Sequence, residues 1–148
     1  MPEPHAQRIV KENKANGHTY TIMVNAHVRC GDAQGAEACV ARMTEAGLTP
    51  CVVTYTTLIN GHTRAGDMVS ATKALETMVS RKPPVHPNIR TVNTLLRGCL
   101  QCGSVEQAVG LLGRMKRDWG VTPDASTYEY VVQLMCHSLR CDCKASGP

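Results

Sequence analysis

Cys136, His137, Cys141 and Cys143 near the C-terminus have the residue types of a metal site. Thiolates and imidazoles hold structural zinc when they recur at fixed short spacings. The spacing of this group matches no standard zinc module. We therefore predict neither a metal site nor a cofactor.

Four other cysteines of the 148-residue chain fall on apolar stripes or beside turns. Cys39 and Cys99 lie on apolar stripes, where cysteine packs as a small hydrophobe. Cys30 and Cys102 each neighbour a glycine expected in a turn. We predict structural or incidental free thiols in a reducing compartment.

The sequence contains no recognisable catalytic motif. The sequence contains no His-x-Glu element and no cluster of aspartates that would hold metal ions for hydrolysis. No side chain stands in a context that would activate it as a nucleophile. We predict a binding protein rather than an enzyme.

Anchor residues recur in phase along most of the chain. They repeat at intervals of 35 to 37 residues. The sets are Tyr20, Tyr55, Val92 and Tyr128; Gly31, Gly66 and Gly103; Ala36, Ala71 and Ala108; and Met43, Met78 and Met115. A period of this length indicates stacked units, none of which buries its apolar face alone.

Each unit is predicted to contain two amphipathic helices. Apolar residues fall at i, i+3, i+4 and i+7 twice per unit, which is the spacing of a helix and not of a strand. The stripes of the first helices are Tyr20, Met23, Val24 and His27; Tyr55, Leu58, Ile59 and His62; Val92, Leu95, Leu96 and Cys99; and Tyr128, Val131, Val132 and Met135. The glycines end the first helices. The predicted N-caps are Thr19, Thr54, Thr91 and Thr127.

The predicted fold class is all-α, an α-solenoid of stacked helical hairpins with three full repeats and a partial fourth. A polar segment precedes the repeats and is expected to be partly helical. The predicted intervals are 1–16 for this segment, 17–51 for repeat 1, 52–88 for repeat 2, 89–124 for repeat 3, 125–139 for the first helix of repeat 4, and 140–148 for a disordered tail.

The stretch VTYTTLINGHTRAG, residues 53–66, resembles the opening helix and turn of the pentatricopeptide repeat family almost residue for residue. The resemblance extends from about Gly17 to Leu139. Tetratricopeptide repeats share the glycine turn, but their Trp-x-x-Leu-Gly opening is absent here. The resemblance implies helical hairpins that bind single-stranded RNA, and it implies a location in mitochondria or chloroplasts.

In this family two side chains of each repeat read one base: the residue after the Thr-Tyr pair and the last residue of the repeat. The resemblance implies that these pairs are Thr21 with Cys51, Thr56 with Asn88, and Asn93 with Asp124. Thr with Asn is similar to the pair that reads adenine, and Asn with Asp to the pair that reads uracil. Cys51 is a weak hydrogen-bond partner, so the first pair has no assigned base. Side chains of these types also cap helices and form turns, which is the competing interpretation.

Two further sets follow from the resemblance. The residue before each Thr flanks the base, which implies stacking by His18, Val53 and Arg90. Ser126 and Glu129 depart from the pattern in the fourth unit. Arg29 and Arg64 stand two residues before a turn glycine, where the family contacts phosphate.

Composition agrees with a small helical domain. Hydrophobic residues make up 43% of the chain, which has no Phe and one Trp, so the core is aliphatic. The net charge of +4 permits an anionic partner. The sequence contains no run of 18 apolar residues, so no membrane-spanning helix is predicted.

Location and partner choice are left to the resemblance. The N-terminal residues are not arginine-rich and include Glu3 and Glu12, so they do not look like an organellar presequence. The alternative function is a helical-repeat scaffold that binds proteins. Its partners would include proteins that contact an exposed terminal repeat.

Overall fold

The computed structural model describes the backbone of residues 17–145 and the side chains of residues 17–140. Within these residues the fold is all-α, as predicted. The helices are α1 (Gly17–Arg29), α2 (Ala33–Glu45), α3 (Val52–Arg64), α4 (Met68–Ser80), α5 (Ile89–Cys102), α6 (Val105–Arg117) and α7 (Ala125–Ala145). The prediction of a partly helical segment at 1–16 lies outside the described residues.

Tight turns join the two helices of each hairpin. Gly31, Gly66 and Gly103 have φ of 77°, 78° and 70°, the left-handed region that glycine enters at least cost. Asp32 and Asp67 then cap α2 and α4, because their side chains accept the backbone N–H groups of Gly35 and Ser70. The hydrogen bond from Gly35 lowers the pKa of Asp32, and those from Ser70 lower the pKa of Asp67. These caps fix where α2 and α4 begin, while Ser104 at the start of α6 makes no capping side-chain hydrogen bond.

The first helices of successive hairpins stack directly on one another, in the order α1, α3, α5, α7. Each second helix packs on the first helix of its own hairpin. The stripes of α3 and α5 are buried as predicted. The recurring alanines near the start of the second helices, Ala36, Ala71 and Ala108, are also buried. The result is an inner row of first helices and an outer row of second helices, with a main core between them and a separate small cluster of Tyr20 and Met43.

The threonines predicted as N-caps are not the caps. Cys51 is the N-cap of α3 and Asn88 that of α5, so Thr54 and Thr91 stand at the third helical position. Asn88 and Thr91 form a reciprocal capping box. The periodicity of the stripe could not separate these positions, because a cap and a third helical residue are both near the helix start.

Helix α7 departs from the predictions at two places. The chain was expected to be disordered from residue 140, yet the helix continues to Ala145. On its stripe only Val131 is partly covered, while Tyr128, Val132 and Met135 are 62%, 58% and 58% exposed. In the other hairpins this face packs on a second helix, and the described residues include none after α7.

The cysteines divide by burial. Cys39 and Cys99 are buried, which raises the pKa of both thiols, that of Cys99 to about 11. Cys99 and Cys102 stand in a Cys-x-x-Cys spacing, but on α5 the first is buried and the second exposed. Among the described residues no group of His, Cys, Asp or Glu is arranged to hold a metal ion. No described helix is long and apolar enough to cross a bilayer.

Candidate nucleic-acid interface

Three clusters of polar side chains lie where one hairpin meets the next. Each combines the residue after the Thr-Tyr pair, the last residue of that repeat, and the threonine three residues later on the following first helix. We name them junction 1 (Thr21, Cys51, Thr54), junction 2 (Thr56, Asn88, Thr91) and junction 3 (Asn93, Asp124, Thr127). The stacking of first helices brings each predicted pair together. The third residue contacts both members at every junction, and at junction 3 the pair is also joined directly.

Junction 3 is the most highly connected. Nδ2 of Asn93 donates to Oδ1 of Asp124 at 3.1 Å, and the Thr127 hydroxyl lies 2.6 Å from Oδ1 of Asn93 and 2.9 Å from Oδ1 of Asp124. The backbone N–H of Thr127 also donates to Oδ1 of Asp124, at 2.9 Å. These hydrogen bonds, the backbone one first, lower the pKa of Asp124. Asp124 is therefore an ionised acceptor at neutral pH, and the Asn93 amide must turn its NH2 group toward it.

Junction 2 repeats the arrangement with a hydroxyl in place of the amide. The hydroxyls of Thr56 and Thr91 are 2.8 Å apart, and Oγ1 of Thr91 lies 3.1 Å from Oδ1 of Asn88, so the single Thr91 proton bonds one of these two oxygens. Oδ1 of Asn88 also accepts the backbone N–H of Thr91, at 3.0 Å. Thr56 donates to the carbonyl of Val52 at 2.7 Å. The carbonyl end of Asn88 is thus occupied by the cap, and its amide nitrogen is not.

Junction 1 keeps the geometry with a weaker partner. The Thr21 and Thr54 hydroxyls are 2.7 Å apart, and Sγ of Cys51 lies 3.4 Å from the Thr54 hydroxyl. Burial acts to raise the pKa of Cys51, but the hydrogen bonds at Thr54 outweigh it and the net pKa is lowered. Cys51 makes no side-chain hydrogen bond that caps α3. The cluster therefore lacks the oxygen that Asn88 and Asp124 supply at the other two.

Open cavities accompany junctions 2 and 3. The cavity at junction 2 is about 550 Å³ and is lined by Val53, Thr56, Asn88 and Arg90 among others. The cavity at junction 3 is about 250 Å³ and is lined by Arg90, Asn93, Asp124 and Ser126 among others. Two predicted stacking residues thus border the junction 2 cavity. His18 is exposed on the first turn of α1, in register with Val53 and Arg90.

The cavities also contain side chains that the sequence reasoning missed. Nη2 of Arg97 donates to Oδ1 of Asn60 at 2.6 Å, and both line the junction 2 cavity. Arg97 continues into the junction 3 cavity, where Tyr130 adds an aromatic ring. Asn60 and Arg97 stand four residues after Thr56 and Asn93, on the same helix face. Counting four residues on from the implied base-contacting residues Thr56 and Asn93 could therefore have identified Asn60 and Arg97 from the sequence.

The predicted phosphate contacts lie farther along the same row. Arg29 and Arg64 are exposed at the last residues of α1 and α3, eight residues after Thr21 and Thr56. Eight residues of helix span about 12 Å. Neither arginine lines the two cavities, so any ligand that meets both the junctions and these arginines must extend along the helices.

Comparisons with known proteins identify the repeat. The PPR repeat family matches residues 50–101 and 87–137, and the pentatricopeptide repeat domain matches residues 9–65. A pentatricopeptide repeat-containing protein of Arabidopsis thaliana, named as mitochondrial, is 28% identical over 131 residues. That match covers 88% of this chain and 14% of the relative, so the chain spans about one seventh of it.

Solved structures show the same fold. The pentatricopeptide repeat protein PPR10 in complex with an 18-nucleotide psaJ RNA element has a TM-score of 0.71 and 27% identity, covering 80% of this chain and 17% of that one. The structure of PPR10 from maize gives a TM-score of 0.76 at 22% identity, covering 96% of this chain and 21% of that one. The PPR domain of Arabidopsis thaliana protein-only RNase P 1 in complex with tRNA gives 0.72 at 15% identity, covering 93% and 74%. With its helical hairpins, recurring anchors and matching family residues, the chain belongs to the pentatricopeptide repeat family.

Proposed function

We propose that this chain binds single-stranded RNA along its inner row of helices, with one base at each junction. The observation that carries the proposal is the recurrence of one side-chain cluster at three successive junctions, two of them beside an open cavity. The RNA complex of the structurally similar PPR10 supports it. The role is binding, and it shields or presents RNA rather than cleaving it.

At junction 2 the free groups complement adenine. The Thr56 hydroxyl proton is used on the Val52 carbonyl, so its oxygen offers a lone pair. Oδ1 of Asn88 is used in the cap, so its amide nitrogen offers hydrogens. Adenine and cytosine both present an amino donor beside a ring-nitrogen acceptor. The similarity of Thr with Asn to the adenine-reading pair selects adenine of the two.

At junction 3 the free groups complement uracil. Asn93 retains one amide hydrogen and one lone pair on Oδ1 after its bonds to Asp124 and Thr127. Uracil offers an imino donor beside carbonyl acceptors, which is the reciprocal pattern.

Val53 and Arg90 would stack on the base between them at junction 2, and His18 would stack at the start of the array.

The cellular setting we propose is RNA processing, stability or translation in an organelle. The Arabidopsis relative named as mitochondrial supports the mitochondrion, and the chloroplast is the alternative organelle.

A protein-binding scaffold is the second candidate. The exposed apolar face of α7, formed by Tyr128, Val132, Met135 and Leu139, favours it because large exposed apolar patches mark interaction sites. Co-purified nucleic acid, measured as a raised ratio of ultraviolet absorbance, would favour RNA. A clean preparation with salt-insensitive partner binding would favour the scaffold.

The test of the proposed function is Asn93→Thr. It leaves two acceptors at junction 3, Thr and Asp124, which match the two neighbouring N–H donors of guanine. Preference at that nucleotide should move from uracil toward guanine by about 1 to 3 kcal/mol, by analogy with base contacts in duplex DNA. The measurement is selection from a randomised single-stranded RNA pool followed by binding of single-base variants.

The neighbouring adenine preference and the thermal unfolding curve serve as internal controls. Gln107→Thr, at an exposed position of α6, is the matched control and should leave every preference as in the parent. If Asn93→Thr keeps the uracil preference, or weakens all RNAs equally, the assignment of this pair to one base is wrong.

A further inference from the structure

The third member of each junction is a threonine that a base cannot reach. Thr54, Thr91 and Thr127 are each 0% exposed. They belong to the helix of the following repeat, so none is part of the pair assigned to the base. A role in base reading must therefore act through the residues that they touch.

The hydroxyl of each threonine contacts both members of the pair before it. At junction 3 it lies 2.6 Å from Asn93 and 2.9 Å from Asp124. At junction 2 it lies 2.8 Å from Thr56 and 3.1 Å from Asn88. At junction 1 the distances are 2.7 Å to Thr21 and 3.4 Å to Sγ of Cys51. One buried oxygen thus bridges the two base-facing side chains three times in succession.

We infer that these threonines are positioning residues that fix which hydrogen-bonding groups each pair presents to its base, an inference that rests on the proposed function. A hydroxyl has one proton and two lone pairs, so at junction 3 Thr127 donates to the nearer acceptor, Oδ1 of Asn93, and accepts the backbone N–H of Asp124. The bond to Oδ1 of Asn93 holds the carbonyl end inward and leaves one hydrogen and one lone pair facing the groove. At junction 2 the Thr91 hydroxyl and the Thr91 backbone N–H both face Oδ1 of Asn88, which leaves that amide nitrogen outward.

The orientation matters because an amide can rotate by half a turn and exchange its donor for its acceptor. At junction 3 the rotated amide would bring Oδ1 of Asn93 against the Asp124 carboxylate, where two acceptors repel. Without the Thr127 hydroxyl, Oδ1 of Asn93 would face a methyl group and lose its inward hydrogen bond. The amide would then be held only by its bond to Asp124 and would reorient more freely, so the preference for one base would weaken.

The first experiment is Thr127→Val, which keeps the shape and removes the hydroxyl, beside Thr127→Ser, which restores it. Thr127→Val should reduce the parent's base preference at the junction 3 nucleotide by about three- to tenfold, the scale of one neutral hydrogen bond. Thr127→Ser should retain it. Preference at junction 2 should not change in either variant, and Thr91→Val should produce the reverse pattern.

Thr63→Val is the matched control. Thr63 is also buried, but its hydroxyl donates at 3.0 Å to the Asn60 carbonyl of its own helix and touches no base-facing pair. Its removal should leave every base preference as in the parent. A uniform loss of affinity in Thr127→Val, or an unchanged preference, would overturn the inference, since a purely structural role predicts one or the other.

A second measurement needs no RNA and separates this inference from the proposed function. In the free protein, the side-chain amide resonances of Asn93 should shift and exchange faster in Thr127→Val and keep their parent positions in Thr127→Ser. Identical Asn93 amide spectra in the two variants would overturn the positioning role. A parent chain with no base preference at any nucleotide would instead overturn the proposed function.

Discussion

Asn88 and Asp124 each cap a helix with the side chain that we also propose to contact a base. Both accept the backbone N–H of a threonine at the start of the next helix, and both belong to the pair assigned to a base. Capping and base reading were competing interpretations of these residues from sequence. The two uses are compatible because a cap occupies one oxygen, which leaves the Asn88 amide nitrogen and the second Asp124 oxygen for a ligand.

Cys51 tests this double use, because it is an N-cap without a capping side chain. Cys51→Asn should stabilise the chain by about 1 kcal/mol, since an asparagine oxygen can accept the backbone N–H of Thr54 as Asn88 does for Thr91. The measurement is the free energy of unfolding in urea. The same variant should create an adenine preference at junction 1, where it reproduces the Thr with Asn pair of junction 2.

Cys51→Ala is the control, and it should change neither the unfolding free energy nor the base preference by a comparable amount. A Cys51→Asn variant no more stable than Cys51→Ala would show that the Asn side chain does not reach the helix start.

At the scale of the helix, the sequence predicted the fold because the anchors repeat. The stripes of α3 and α5 are buried as their spacing indicated, and Gly66 and Gly103 take the left-handed conformation expected of a turn. The threonine positions were predicted wrongly, since spacing along one helix does not reveal bonds to the helix before it. Thr91 joins Thr56 across 35 residues of chain, a contact that only stacking creates.

Leu95 provides the test of the stacked core. It is 1% exposed at the middle of α5, the helix of the inner row that packs on both α3 and α7. Leu95→Ala should lower the free energy of unfolding by about 2 to 5 kcal/mol, because it removes buried contacts and leaves a cavity between helices. Urea unfolding followed by circular dichroism measures the loss.

Val109→Ala is its control, since Val109 is 62% exposed on α6 and should cost well under 1 kcal/mol. A loss below about 1 kcal/mol for Leu95→Ala would mean that the central stripe does not carry the stability of the stack.

At the scale of the whole molecule, the two helical rows have different tasks. The inner row carries the junctions, the two cavities and Arg97, while the outer row covers the core and is joined by an ion pair between Arg114 on α6 and Glu76 on α4. Sequence periodicity defined the stripe that faces the core. It could not predict that Tyr130 lines the junction 3 cavity, because that residue comes from the helix of the following repeat.

The arginines at the helix ends decide how the inner row would bind a phosphate chain. Arg29→Ala with Arg64→Ala should weaken binding about equally for all RNA sequences, since phosphates carry no base information. If each arginine contacts one phosphate, the slope of log affinity against log salt should fall by about 1.4 for a single strand. Titrations of one RNA and its single-base variants at several salt concentrations measure both effects.

Arg42→Ala with Lys116→Ala removes the same charge from the exposed outer row and is the matched control. Long-range attraction would weaken in both double variants, because each lowers the net charge from +4 to +2. Direct phosphate contact predicts a larger change in slope for the Arg29 and Arg64 pair. Equal slopes in the two variants would restrict these arginines to the favourable interaction of a cation with a helix C-terminus.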